Sequence, residues 1–199
     1  QGLSDFSHPN TEITIQGAVF THLLYQFRLA YSGWRYVQII LGGESYSALA
    51  DGLQSALSLA GGSPIEHRTD SLSAAFINRA EEEKLTKAYD ALCDHYNLRA
   101  TRNNRGVSHE NGAIECAHGS FKRRLDQALK LRGSCDFSAI KDYQAFLNKV
   151  TERLNKRCQS RFKDEQLALQ ALPDERFIDY SELSLKVTRS STLEVKRII

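Results

Sequence analysis

Short hydrophobic segments in the first third of the chain predict a series of β-strands. Residues 1–8 predict the first strand, and a polar stretch over 7–16 follows it. Four residues of the next segment show the period-two alternation of a half-buried strand: Tyr25, Phe27, Leu29 and Tyr31. Ser32-Gly33 predicts a turn into a strand over 34–41, so the second and third strands form a hairpin.

Helical periodicity then alternates with short strands. Apolar residues recur at helical spacing from Ser45 until Gly61-Gly62, which predicts the end of that helix. A strand over 64–70 and a helix over 85–96 follow, the latter with apolar residues at helical spacing. A strand over 98–101 then leads into the polar, glycine-containing segment 102–110, which predicts a mobile loop.

Two long amphipathic helices separated by Gly133-Ser134 complete the predicted order, β-β-β-α-β-α-β-α-α. A hairpin that feeds a mixed sheet flanked by helices is an α/β layered architecture. After Pro173 the pattern changes, and Leu183, Leu185 and Val187 alternate. We therefore predict one α/β domain over 1–165, which the resemblance described below implies is catalytic, followed over 166–199 by a linker and the start of a small C-terminal β module.

Composition and charge narrow the class of protein. The 199 residues are 41% hydrophobic, which is enough for one packed domain. Without a CxxC spacing, the four cysteines favour a reducing cytosol, and no apolar run is long enough to predict a membrane span. Because the chain lacks methionine even at position 1, we interpret it as a piece of a longer protein. Residues 44–95 hold nine acidic and four basic residues, whereas 116–163 hold twelve basic and four acidic ones, which favours a polyanionic partner.

Three acidic residues form the candidate catalytic site. Asp5 lies on the first predicted strand, Asp70 ends the strand over 64–70, and Glu115 lies near the start of a long helix. The ends of strands in an α/β sheet are where ligands collect. Three carboxylates that converge there can hold two Mg²⁺ ions, which suits attack on a phosphodiester. Glu110 is an alternative third ligand, although it precedes Asn111, a residue suited to cap the helix.

Basic residues near these acids predict contacts with DNA. Lys122 lies seven positions after Glu115, on the same face of the predicted helix. Arg102 and Arg105 lie in the predicted loop that leads to Glu115, where they could contact a phosphate backbone.

The order of elements and three motifs resemble the catalytic domain of DDE transposases and retroviral integrases. The segment 111–122 (NGAIECAHGSFK) is similar to the family's glutamate helix, residues 61–70 (GGSPIEHRTD) to its second aspartate strand, and residues 3–6 (LSDF) to its opening strand. With Glu44-Ser45 and the RNNRG segment at 102–106, the chain most resembles the IstA-type transposases of bacterial insertion sequences.

The resemblance implies an RNase H-like fold with a mixed five-stranded sheet. It implies that Asp5, Asp70 and Glu115 bind two Mg²⁺, for which Mn²⁺ can substitute, and that Lys122 and Arg123 contact DNA. The implied reactions are cleavage of transposon ends and transfer of the 3′-hydroxyl into target DNA. The implied partners are the two kinds of DNA, further copies of the chain and an AAA+ ATPase helper, at the nucleoid of a bacterial cytoplasm.

Two departures from the family pattern keep other interpretations open. Ser71 follows Asp70 where the family usually has Asn, and 44 residues separate Asp70 from Glu115, a gap longer than is typical of retroviral integrases. Glu110, with 39 intervening residues, therefore remains an alternative ligand. The other functions considered are a two-metal nuclease that does not join DNA, a catalytically silent DNA-binding module and a domain for protein contacts.

Overall fold

The computed structural model describes residues 1–69, 79–101 and 108–178, and their side chains except those of 79–86 and 108–118. A five-stranded mixed sheet forms the centre. Its strands are β1 (Gly2–Ser7), β4 (Leu23–Leu29), β5 (Arg35–Ile40), β6 (Glu66–Thr69) and β7 (Arg99–Thr101). They lie in the order β5-β4-β1-β6-β7, in which β1 pairs antiparallel with β4 on one side and parallel with β6 on the other.

Helices cover both faces of the sheet. They are α1 (Tyr46–Ala60), α2 (Arg79–His95), α3 (Ser108–Arg132), α4 (Ile140–Lys156) and α5 (Gln159–Gln166). A first core cluster joins one face of the sheet to α1 and α2, and a second joins the other face to α3 and α4. Both faces of β4 are therefore buried, which corrects the expectation of a half-buried strand.

The ends of α1 follow the sequence signals closely. The Ser45 side chain accepts a hydrogen bond from the backbone N–H of Ala48 and caps the first turn. Gly61 ends the helix at φ 79°, a left-handed conformation that glycine adopts without strain. The predicted helix from Ser45 to the Gly61-Gly62 pair is confirmed.

Other elements differ from the prediction. The stretch predicted as polar contains β2 (Thr14–Ile15), which pairs with β3 (Ala18–Val19) and with β8 (Asp136–Phe137) in a small second sheet. Gln16 and Gly17 both have positive φ, the geometry of a tight hairpin turn. Asp136 holds this sheet together, because its side chain accepts hydrogen bonds from Thr14 Oγ1 at 2.6 Å and from the Gly17 N–H at 2.8 Å. These bonds lower the pKa of Asp136.

The outer edge of β5 is covered by side chains of α4. Asn155 accepts a hydrogen bond from the Arg35 N–H at 2.9 Å and donates one to the Arg35 carbonyl at 2.8 Å. Gln144 accepts from the Ile39 N–H at 2.8 Å and donates to the Val37 carbonyl at 3.1 Å. The two amides replace a neighbouring strand and protect the edge from pairing with other chains.

The chain beyond α5 lies against the main domain. Ser63 and Gln170 exchange two backbone hydrogen bonds, and Phe177 packs against the first core cluster. Residues 167–178 are thus in contact with the core of the predicted catalytic domain. The alternating residues of the predicted β module lie outside the described residues, so the division at 165/166 stays a prediction.

Gly52→Ala is expected to lower the free energy of unfolding by about 1–3 kcal/mol. Gly52 lies in the middle of α1, and a Cβ there would lie 2.5 Å from Cδ1 of the buried Tyr25 ring. This clash outweighs the gain of about 1 kcal/mol in helix propensity. Urea unfolding of the variant and of the wild-type chain measures the difference in their free energies of unfolding.

The matched control is Gly119→Ala in α3, where the added Cβ would lie 3.5 Å from Arg123 Nη1, an ordinary contact distance. This variant is expected to be stabilised by up to about 1 kcal/mol. Equal stabilities for the two variants would contradict the close approach of α1 to β4.

Candidate active site

Asp5 lies in the central strand of the sheet. It occupies the fourth position of β1, between the buried residues Ser4 and Phe6, and it is itself half-buried. Across the antiparallel pair it lies opposite Gln26 of β4. A half-buried carboxylate on a central strand is held in place by the backbone on both sides.

The register between β1 and β6 is described up to the residues just before two of the predicted ligands. Ser4 pairs directly with Thr69 in a parallel ladder. Asp5 is the residue after Ser4, and Asp70 is the residue after Thr69. Asp70 itself lies outside the described residues. The last described pair of this ladder therefore directly precedes both aspartates in sequence.

Asp5 shares its face of the sheet with α3. Because side chains alternate along a strand, Asp5 and Ser7 point to the same face, and Ser7 pairs with Leu24. Leu24 is buried in the second core cluster beside Phe121 of α3. The helix that carries Glu115 thus packs on the face to which Asp5 belongs.

α3 begins earlier than the sequence predicts. It starts at Ser108, so Asn111 lies inside the helix and is not its N-cap, and Glu110 lies in the first turn. Glu110 and Glu115 both belong to this helix, but their side chains lie outside the described ones. The choice between them as a third ligand stays a prediction.

Side-chain hydrogen bonds, which we call the Asp126 tether, connect the segment after β1 to α3, and the sequence did not predict them. Asn10 Nδ2 and Thr11 Oγ1 each donate a hydrogen bond of 2.9 Å to the carboxylate of Asp126. Asp126 lies one turn after Lys122 on α3, and Asn10 and Thr11 lie shortly after β1. The two elements that carry Asp5 and Glu115 are thereby connected by side chains more than 100 positions apart in sequence.

The predicted DNA contacts are divided between described and undescribed parts of the chain. Lys122 is half-buried and Arg123 is exposed, both on α3. Arg102 and Arg105 lie outside the described residues, as does most of the predicted mobile loop. The roles of all four residues stay predictions.

A buried chain of hydrogen bonds runs on the opposite face from Asp5. Ser4 Oγ lies 2.6 Å from Tyr25 Oη and 2.7 Å from His67 Nε2, and His67 Nδ1 lies 2.6 Å from Tyr89 Oη. Burial lowers the pKa of His67 to about 3, so its ring is neutral at pH 7. Burial also raises the pKa of Tyr25. These hydrogen bonds connect β4, β1, β6 and α2, and no local pattern in the sequence predicted them.

No metal cluster can be assigned within the described part of the chain. Among the described residues, no group of three or more His, Cys, Asp or Glu side chains is placed to hold a metal ion. Of the three predicted ligands, only the Asp5 side chain is among those described. The donor set that the sequence proposes consists of carboxylates, which are the ligands that Mg²⁺ prefers.

The fold is shared with retroviral integrases. The catalytic core domain of HTLV-2 integrase, in complex with magnesium in a dimeric form, is 19% identical with a TM-score of 0.51, over 78% of this chain and 85% of that one. The catalytic core domain of BIV integrase is 15% identical with a TM-score of 0.53, over 83% and 95%. This chain has the integrase catalytic-core fold. The predicted RNase H-like architecture, a mixed five-stranded sheet flanked by helices, is confirmed.

Two other proteins are similar over almost the whole chain. A simian T-cell lymphotropic virus intasome, in complex with PP2A regulatory subunit B56 gamma, contains a chain that is 14% identical with a TM-score of 0.56, over 98% of this chain and 66% of that one. An uncharacterized protein of Sinorhizobium fredii (y4jA/y4nE/y4sE, strain NBRC 101917 / NGR234) is 45% identical over 200 residues. That match covers 99% of this chain, which spans 40% of the length of the relative. No family model matches the chain.

None of the helices in the described part of the chain combines the length and the hydrophobicity that a membrane crossing requires.

Proposed function

We propose that this chain is the catalytic domain of a metal-dependent DNA transposase of the IstA type, which cleaves transposon ends and joins them to target DNA. The observation that carries the proposal is the Ser4–Thr69 pair of the parallel β1–β6 ladder. Asp5 directly follows Ser4 in sequence, and Asp70 directly follows Thr69. Continuation of that register by one residue would place two carboxylates side by side on the face that α3 covers. α3 would add the third carboxylate, from Glu115.

The residues have separate roles in the proposed reaction. Asp5, Asp70 and Glu115 would hold two Mg²⁺, which when bound activate a water or a 3′-hydroxyl and stabilise the developing charge on the phosphate. The β1–β6 ladder would fix the two aspartates relative to each other, and the Asp126 tether would fix the helix that carries Glu115 relative to β1. Lys122, Arg123, Arg102 and Arg105 would bind the DNA backbone and orient the scissile phosphate.

The remaining parts of the proposal rest on the resemblance of the sequence motifs. A transposase of this type would act as an oligomer on paired DNA ends, with an AAA+ ATPase helper, in the bacterial cytoplasm at the nucleoid. Residues 166–199 would be a linker and the start of a C-terminal β domain. Recognition of the DNA ends would belong to parts of a longer protein.

Titration of Mn²⁺ into the 199-residue chain, followed by calorimetry, tests the proposed site. Asp5→Asn, Asp70→Asn and Glu115→Gln are each expected to weaken metal binding, and Glu110→Gln is expected to leave it unchanged. If Glu110→Gln weakens binding and Glu115→Gln does not, the third ligand is Glu110. If the wild-type chain binds no metal, either alone or with DNA present, the proposed function is wrong.

A joining assay separates the transferase from the nuclease. A DNA duplex with a free 3′-hydroxyl end is incubated with a circular target and Mg²⁺, and the products are resolved by size. The proposal expects covalent joining of the duplex to the target. Cleavage of DNA without any joined product would favour the metal-dependent nuclease instead.

A further inference from the structure

The outer surface between α3 and α4 contains a groove of about 190 Å³. One wall is a stripe of α3 residues at helical spacing, and the other is a similar stripe of α4. Apolar side chains line part of it, and Leu131 among them is 87% exposed. The lining residues are Arg124, Gln127, Ala128 and Leu131 of α3, and Val150, Arg153, Leu154 and Arg157 at the end of α4.

The polar lining of this groove is dominated by arginine. Arg124, Arg153 and Arg157 are all exposed, and no acidic residue is among the described residues that line the groove. Arg124 donates a hydrogen bond to Gln127 at 3.0 Å, and none of the three arginines forms an ion pair within the described part of the chain. Three cationic groups therefore face one groove, with no compensating charge among the described residues that line it.

The chemistry of the groove suits the phosphates of a nucleic-acid backbone. Guanidinium groups bind phosphate through two parallel hydrogen bonds, more specifically than lysine does. Arg153 and Arg157 are four residues apart on α4, about 6 Å along the helix axis. That distance spans about two phosphates of one DNA strand, which are spaced about 3.4 Å along the duplex axis. The apolar residues beneath would support the aliphatic stems of the arginines.

We propose that the groove between α3 and α4, lined by Arg124, Arg153 and Arg157, is a second binding site for the phosphate backbone of duplex DNA. The inference rests on the proposed function, since it takes DNA as the substrate. Arg124 lies nine residues from Glu115 on the same helix, about 14 Å along its axis. Nine residues are about two and a half helical turns, so Arg124 and Glu115 occupy opposite sides of α3, and the groove would bind a segment of duplex other than the one at the proposed catalytic site.

The salt dependence of DNA binding tests the site. The affinity of a labelled duplex of about three helical turns is measured by fluorescence anisotropy over a range of KCl concentrations. The groove variant combines Arg124→Ala, Arg153→Ala and Arg157→Ala. The matched control combines Lys130→Ala, Lys141→Ala and Lys163→Ala, which removes the same charge from exposed positions outside the groove.

The groove variant is expected to reduce the slope of log affinity against log salt by about 2.7, because each phosphate that an arginine no longer neutralises lowers the slope by about 0.9. Its affinity at about 0.1 M salt is expected to fall at least about tenfold. The control is expected to change the slope by less than about one. Replacement of the three arginines by lysine is expected to restore most of the slope, because the charges return.

Several results would overturn the site. One is an equal slope of log affinity against log salt for the groove variant and its control. Another is the absence of duplex binding by the wild-type chain. A third is a groove variant that binds DNA as the wild-type chain does but has an altered oligomeric state in sedimentation. The last result would assign the groove to a protein partner. Failure of the proposed function is distinguished by the metal titration, in which the groove variant should bind Mn²⁺ as the wild-type chain does. If DNA binding depends on the groove but the wild-type chain binds no metal, the result supports this site and contradicts the proposed catalysis.

Discussion

Asp5→Asn is expected to lower the rate of the proposed metal-dependent DNA cleavage and joining by about 10³-fold, which corresponds to about 4 kcal/mol of transition-state stabilisation. Asn retains the size of the side chain and one carbonyl oxygen, but it lacks the negative charge that would hold Mg²⁺ at the proposed site. Because Asp5 lies on a central strand paired on both sides, the substitution should not alter the backbone around it. The rate is measured in single turnovers with saturating DNA and Mg²⁺.

The control for this prediction is Asp164→Asn, which removes a carboxylate from an exposed position of α5. Its rate is expected to equal that of the wild-type chain. DNA affinity in the absence of metal should not decrease in either variant, since neither residue is proposed to bind phosphate. An Asp5→Asn rate within about threefold of the wild type, about 0.7 kcal/mol, would exclude Asp5 as a metal ligand.

Acidification from pH 7 to pH 5 is expected to destabilise the wild-type chain by about 2 kcal/mol through His67 alone. Burial lowers the pKa of His67 in the folded state to about 3, whereas an unfolded histidine titrates near pH 6.5. Between these values the unfolded state binds the additional proton, so stability is complete above about pH 6.5 and falls as the pH decreases toward 3. Each unit by which the pH decreases within this window lowers the free energy of unfolding by about 1.4 kcal/mol.

Urea unfolding at a series of pH values measures this effect. His67→Gln is expected to flatten the dependence between pH 6.5 and pH 5, because the amide can form hydrogen bonds with Ser4 and Tyr89 but does not titrate in this range. His95→Gln, at the end of α2, is the control and should retain the slope of the wild type. His22, whose pKa burial also lowers, contributes equally to all three proteins. Parallel curves for the wild type and His67→Gln would show that His67 is not buried as neutral imidazole.

The sequence predicted the elements whose signals are local. The start of α1 near Ser45, its end at Gly61-Gly62 and the turn at Ser32-Gly33 each depend on residues within a few positions of one another. The sequence likewise predicted the five strands of the main sheet, and helical periodicity predicted the long helices. These signals are strong because each element needs them to bury its own apolar face.

Elements that depend on distant partners were missed. β2 is two residues long and is held by β8, more than 100 positions away, partly through the Asp136 side chain. α3 begins at Ser108, before the asparagine that locally suits a cap. In both places tertiary contacts or the continuation of a helix outweighed the local preference.

The candidate site shows the same division. The acidic residues and their order could be identified from sequence motifs, because each motif is a few residues long. The sequence by itself thus determined the types of the main elements, their order and the candidate ligands. The tertiary structure decided that Ser4 pairs with Thr69 and that α3 covers the face of the sheet to which Asp5 belongs. It also decided that His67 is buried against Ser4 and Tyr89 and that three arginines line one groove. Strand register and helix packing are set by side chains that meet only when segments far apart in sequence fold together, so no local pattern encodes them.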